Sequence, residues 1–183
     1  MISPAYPTAD LPSNAVTCHL LVRYGAIPQA ARYTVEAAET EDIKRGTSVV
    51  IMTDRGLELG TVLEIIPAAL SEGHDPVGPI ERTATSDDRN LYLKRQRQAV
   101  VSFEIWHRRI QDWNLELELM EIERTLDDEK QILYVLNDRG AETTRLALLA
   151  AAAGLGIVSV QPIGADGIVD GSDGGCGSAC GCR

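Results

Sequence analysis

The apolar periodicity of this chain changes once, near residue 86, and that change limits the folds open to it. Before it, Val16, Cys18, Leu20, Val22 and Tyr24 alternate with mostly polar neighbours. A period of two marks a strand with one buried face and one wet face. A second strand is expected at 33–35, and two more at 49–52 and 61–66. The last pair flanks Asp54-Arg55-Gly56, whose glycine can supply the positive φ of a tight turn. Gly60 is expected to mark a bulge or bend. Several short strands with little helical period among them predict a small antiparallel β sheet or barrel over residues 15–70.

Beyond the change the period becomes 3.6. Tyr92, Ala99, Phe103, Trp106, Ile110 and Trp113 fall in one sector of a helix over 87–113, with Gln96 as a polar exception. Ser86 suits the N-cap, and Asp87 and Asp88 complement the positive end of the helix dipole. The stretch before it, 67–83, holds three prolines and two glycines and reads as a loop running to Arg82. Leucine and glutamate alternate over 115–119, then Met120 and Ile122 shift the phase by one, as a bulged strand would. Asp127 and Asp128 suit a turn. The unbroken apolar run at 132–136 predicts a partner strand buried on both faces. A Leu- and Ala-rich helix is expected at 142–153, stopped by Gly154, and a last strand at 157–160. Helix, strand, strand, helix, strand over 80–163 completes an α+β chain.

Both ends have a different character. Residues 1–14 carry three prolines and no periodicity, and read as a flexible leader. From Gly164 to Arg183 glycine dominates and large apolar side chains nearly vanish, so this Gly/Cys-rich tail cannot pack a core of its own. Cys176, Cys180 and Cys182 lie within it. Thiolates are good ligands for iron-sulfur clusters and for zinc, and glycines between them let sulfurs converge. Three sulfurs are one short of the usual four. The fourth ligand would come from Cys18, a histidine, a small molecule or a partner chain; free reduced thiols are the plainer alternative.

Charge narrows the function classes. The 27 Asp and Glu against 17 Lys and Arg leave a net charge of -10, which disfavours broad affinity for nucleic acid. Aromatic residues make up only 4% of the chain, so a repeated base-stacking surface is not expected. The long helix is the local exception. Lys94, Arg97, Arg108 and Arg109 point away from its apolar stripe and, with Arg82, form a candidate phosphate-contacting ridge. An ordinary solvated face would show the same pattern.

The first residues have no basic segment followed by an apolar core, and the longest apolar run, 146–158, is too short to span a bilayer, so a cytoplasmic protein without a membrane span is expected. Thiols are kept reduced there. His19, His74 and His107 have no metal-ligand spacing, and neither a GxSxG elbow nor a phosphate loop is present. Glu116, Glu118, Glu121 and Glu123 read as the wet face of a strand. A redox role for Cys180 and Cys182 lacks an activating neighbour. No catalytic constellation emerges, and the chain is expected not to be an enzyme.

Several of these segments together resemble one family. Residues 44–62, Lys-Arg-Gly-Thr-Ser-Val-Val-Ile-Met-Thr-Asp-Arg-Gly-Leu-Glu-Leu-Gly-Thr-Val, are similar to a Gly, Val-Val-Val, Gly-x-Glu-x-Gly-x-Val hairpin. Residues 80–88, Ile-Glu-Arg-Thr-Ala-Thr-Ser-Asp-Asp, are similar to an Arg-x-Ala-Thr-x-x-Asp entry into a long helix. Gln161-Pro162-Ile163-Gly164 is similar to a Gln-Ile-Gly element with one residue inserted. These are motifs of the polymerase-suppressor (PSP-one type) C-terminal domain family, which includes bacterial regulators of the RicT type. Two departures stand out: 141–145 keeps only Arg145 of an Asp-Phe-Arg triplet, and the tail cysteines are spaced differently. The resemblance implies a regulatory subunit that assembles with small helical protein partners. It also implies a cysteine-held iron-sulfur cluster, here on Cys176, Cys180 and Cys182, and work beside ribonuclease machinery in RNA processing.

Overall fold

A computed structural model of the chain describes residues 17–36, 40–67, 70, 75–137, 140–164 and 167–169. The expected leader, His74 and the three tail cysteines lie outside the described residues. The first half is a closed barrel of β1 (Thr17–Tyr24), β2 (Gln29–Glu36), β3 (Ser48–Thr53), β4 (Gly56–Pro67) and β5 (Gly78–Thr83), in the order β1-β2-β5-β3-β4, with β4 returning to β1. The alternation seen in sequence is the inside of this barrel: Leu20, Val22, Tyr33, Val35, Val49, Ile51 and Val62 pack together with Ile43. Closure removes the exposed strand edges that a sheet this small would otherwise present.

Two local expectations change. Strand β5 lies inside the stretch read as a loop. Its side chains are mostly exposed, so it has no apolar alternation; it joins the barrel through backbone pairing, antiparallel to β3 and briefly parallel to β2. Gly60 sits in regular register opposite Val49, not in a bulge. A Cβ there would lie 2.3 Å from Val22 Cγ1, so glycine admits a close approach within the barrel. The register shift falls instead between β1 and β4, where Leu21 faces Glu64 and Val22 faces Val62.

The second half comprises α1 (Ser86–Asp112), β6 (Glu118–Arg124), β7 (Lys130–Leu136), α2 (Ala141–Ala152), β8 (Ile157–Gly164) and β9 (Gly167–Ile168), with sheet order β6-β7-β8-β9. The N-cap of α1 is Thr85, one residue before the expected Ser86, because a reciprocal box forms there. The Asp88 backbone N–H donates to the Thr85 hydroxyl at 3.2 Å, and the Thr85 N–H donates to the Asp88 carboxylate at 2.8 Å. The bulge expected near Met120 is present, as a register shift between Leu119 and Glu121. Ile132, Leu133, Tyr134 and Val135 are all fully buried. Leu133 and Val135 join Trp106, Ile110 and Leu146 in the core beneath the helices. Tyr134 turns the other way, toward the barrel.

Barrel and sheet share a seam. The β6–β7 turn lies on the β3–β4 hairpin: Leu126 N–H donates to Leu57 O at 2.7 Å, Leu57 N–H to Asp127 Oδ2 at 3.1 Å, and Lys130 Nζ to Asp54 O at 3.0 Å. Val50, Ala84 and Leu126 form a small apolar cluster here, with Tyr92 of α1 against it. Among the described residues no helix is long and apolar enough to cross a membrane.

Candidate functional site at the barrel seam

The tight turn at the β3–β4 hairpin puts Arg55 against the sheet instead of in solvent. Its side chain is 6% exposed, and Glu58, two residues into β4, is 4% exposed. The guanidinium donates from Nε to Glu58 Oε1 at 2.9 Å and from Nη2 to Glu58 Oε2 at 2.6 Å, a bidentate clasp. From Nη1 it donates to the Tyr134 hydroxyl and, at 3.4 Å, to Glu123 Oε2. Tyr134 donates onward to the same Glu123 oxygen at 2.7 Å, and the Ala26 N–H of the β1–β2 turn adds a third donor at 3.1 Å. Thr53 donates to Glu58 Oε1 at 2.7 Å. The Tyr24 ring lies 5.6 Å from the guanidinium carbon, within cation–π range.

This cluster joins five barrel residues to two sheet residues with its charges interlocked. Burial pushes the Glu58 carboxyl up, and the nearby Arg55 charge only partly offsets it. Burial also raises the Tyr134 hydroxyl, with the Glu123 charge adding to the effect, so Tyr134 stays protonated as a donor. Burial by itself would lower Arg55, but Glu58, Tyr134 and Glu123 outweigh it and hold the cation. Such an arrangement orients two bodies; it does not offer a free acid or base.

Beside the cluster is a cleft of about 340 Å³ between α1, β6 and the β1–β2 turn, lined among others by Ala26, Tyr92, Arg95, Gln96, Glu121 and Glu123. Gln96, the polar interruption of the helix stripe, is explained by it: the side chain reaches solvent at the cleft and its amide donates to the Tyr92 hydroxyl at 3.1 Å.

The residues singled out from sequence fall elsewhere. Lys94, Arg97 and Arg108 are exposed on α1. Arg109 is half-buried, its guanidinium carbon 5.3 Å from the Trp106 ring centre. Arg82 is half exposed, but both terminal nitrogens donate to Asp88, one at 2.8 Å, which ties the barrel strand to the helix cap. That contact, with Thr85, holds the Asp88 carboxyl well below the usual carboxylate range. Cys18 packs at the edge of the barrel core. Among the described residues no group of three or more His, Cys, Asp or Glu side chains could hold a metal ion.

Sequence reading missed the seam. Glu123 looked like part of a wet face, and Glu118 and Glu121 are indeed exposed, but Glu123 is buried under the barrel. The available signal was the charged pair Arg55 and Glu58 set between the mostly apolar runs at 49–52 and 62–66.

No family model matches the chain, and no solved structure matches it. It is similar to the stage 0 sporulation protein YaaT of Bacillus subtilis (strain 168), with 29% identity over 99 residues, covering 52% of this chain and 35% of that protein. The match therefore spans about a third of the relative's length. This similarity supports a YaaT-like relationship.

Proposed function

We propose that the chain is a non-enzymatic, cytoplasmic regulatory subunit of the polymerase-suppressor C-terminal domain type, acting through contacts with other proteins of an RNA-processing complex. The similarity to YaaT, a sporulation protein, carries this reading. The outer side of α1 supports it. Leu93, Val101 and Ile105 are 47%, 71% and 50% exposed there, interspersed with Arg97, Glu104 and Arg108. Apolar side chains rimmed by charge are the usual composition of a partner-contact surface. The tail cysteines Cys176, Cys180 and Cys182 supply thiolates, the donors that an iron-sulfur cluster or zinc takes.

Two measurements test the reading. Val101→Glu with Ile105→Glu is expected to abolish the regulatory phenotype in cells while leaving the thermal melt unchanged; full regulation by that variant would remove the contact surface. Anaerobic purification of the full chain with its complex, followed by iron and zinc analysis, is expected to find metal that is lost on Cys176→Ser, Cys180→Ser and Cys182→Ser. Metal-free protein would remove the cofactor.

RNA contact through α1 is the second reading, favoured by the exposed cations Lys94, Arg97 and Arg108 on an otherwise acidic protein. It expects binding that weakens with salt and on Arg97→Glu and Arg108→Glu. Arg82 and Arg109, already engaged by Asp88 and Trp106, contribute less to it. Absence of binding at low ionic strength would reject it.

A further inference from the structure

Helix α1 interrupts its own apolar stripe at one level. Tyr92 and Ala99 face the protein, but Arg95 and Gln96 stand between them. At that level the helix, strand β6 and the β1–β2 turn part to form the seam cleft of about 340 Å³. That is near the lower end of ligand pockets, roughly 300–1,000 Å³, a size for a single heterocycle and its sugar. Pockets also favour junctions between structural units, as here.

Charge decides what kind of ligand fits. Arg95 and Arg124 both line the cleft, and both close on Asp128: Arg95 Nη1 at 2.9 Å from Oδ2, Arg124 Nη1 at 2.5 Å from Oδ1. Neither cation is free to neutralise a phosphate or a carboxylate. The Nε–H of each is buried without a hydrogen-bond partner and closed off from the cleft, so neither guanidinium offers a free donor there. On β6, Glu121 also lines the cleft. Its Oε1 accepts from the Ile122 N–H at 3.0 Å, which steadies an exposed carboxylate at the rim. Gln96 adds an amide that can both donate and accept. The cleft thus combines acceptors and donors with no excess of positive charge.

Shape supplies the rest. Tyr92, Ala99, Val100 and Ile122 give it apolar walls. A flat, neutral ring with separate donor and acceptor edges matches such walls. Guanine is the base with two adjacent N–H donors, at N1 and N2, that pair with one carboxylate. Its O6 and N7 accept, here from an amide donor such as Gln96. Adenine, cytosine and uracil lack that pair of adjacent donors.

We propose that the seam cleft binds a guanine base, supplied either as a free guanosine compound or as an unstacked base of single-stranded RNA. Equilibrium dialysis of the full chain against guanosine, adenosine, cytidine and uridine tests it. Guanosine is expected to bind at least about tenfold more tightly than the other three. Glu121→Gln, an exposed and nearly isosteric change, is expected to weaken guanosine by about tenfold or more. Val100→Trp, at the exposed mouth, is expected to block it, with melting curves confirming that both variants are folded. An all-uridine octamer with and without one central guanosine separates the sources. A guanosine-bearing strand that binds about tenfold more tightly than free guanosine identifies RNA, and the reverse or equal binding identifies the free compound. Equal binding of all four nucleosides, no saturable binding, or guanosine affinity unmoved by both substitutions overturns the proposal.

Discussion

The seam and the outer side of α1 use arginine in opposite ways. Arg55, 6% exposed, gives its hydrogen-bond donors to Glu58, Tyr134 and Glu123, and so fixes how the barrel lies on the sheet. Arg97 and Arg108 stand in solvent. Arg82 is intermediate, half exposed yet committed to Asp88 at the helix cap. A guanidinium taken out of water must be fully partnered to be tolerated, and its partners then define a geometry. An exposed one loses little by remaining unpaired and is available to a partner molecule. Of the cations singled out from sequence, Lys94, Arg97 and Arg108 stand exposed, whereas Arg82 and the buried Arg55 tie parts of the fold together.

Removing the buried cation gives the sharpest contrast. Arg55→Ala leaves the buried Glu58 and Glu123 carboxylates without the cation they share and is expected to cost about 3–5 kcal/mol in urea unfolding. A loss below about 1 kcal/mol would place the seam in the same class as surface pairs. Tyr134→Phe deletes one hydroxyl that both accepts from Arg55 and donates to Glu123, and is expected to cost about 1–3 kcal/mol by the same assay.

The intermediate case lies at the cap. Thr85→Ala is expected to lower stability by about 1 kcal/mol, read as a drop in Tm. Asp88 adds a pH signature. Its folded pKa is depressed by the Arg82 and Thr85 contacts, so its contribution is complete above the unfolded carboxylate value of about 3.9 and fades as pH falls toward the folded value. Asp88→Asn should flatten that acid-side decline in a Tm-against-pH series. Glu58 has the opposite sign: its raised pKa means the folded state holds the proton more tightly, and that contribution is lost as pH rises through the folded value. The smallest effect is expected on the ridge, where Arg97→Glu and Arg108→Glu should each change stability by no more than about 0.5 kcal/mol. A larger change would mean that the ridge is part of the scaffold.

Much of the scaffold was legible. The alternation through Leu20 and Val22, the helical stripe ending at Ile110, the phase shift at Met120 and the double burial at 132–135 all appear where periodicity puts them. Strand β5 was not, because it belongs to the barrel by backbone pairing and its side chains are largely wet. Of the candidate site, Gln96 stood out as an anomaly without an explanation. Glu123 was concealed in a run of glutamates, since alternation reports which face a residue is on but not whether another body covers that face.

Local repetition along the chain, then, determined the elements and which side of each is oily, because burial of apolar area rewards the same pattern wherever it occurs. Tertiary structure alone decided that the barrel covers the far side of the sheet, turning Glu123 and Tyr134 into partners for Arg55 and opening a cleft beside them. Those pairings join residues 68 and 79 positions apart. A low-dielectric contact between charges so distant in sequence depends on how two packed bodies meet, and no periodicity along the chain encodes it.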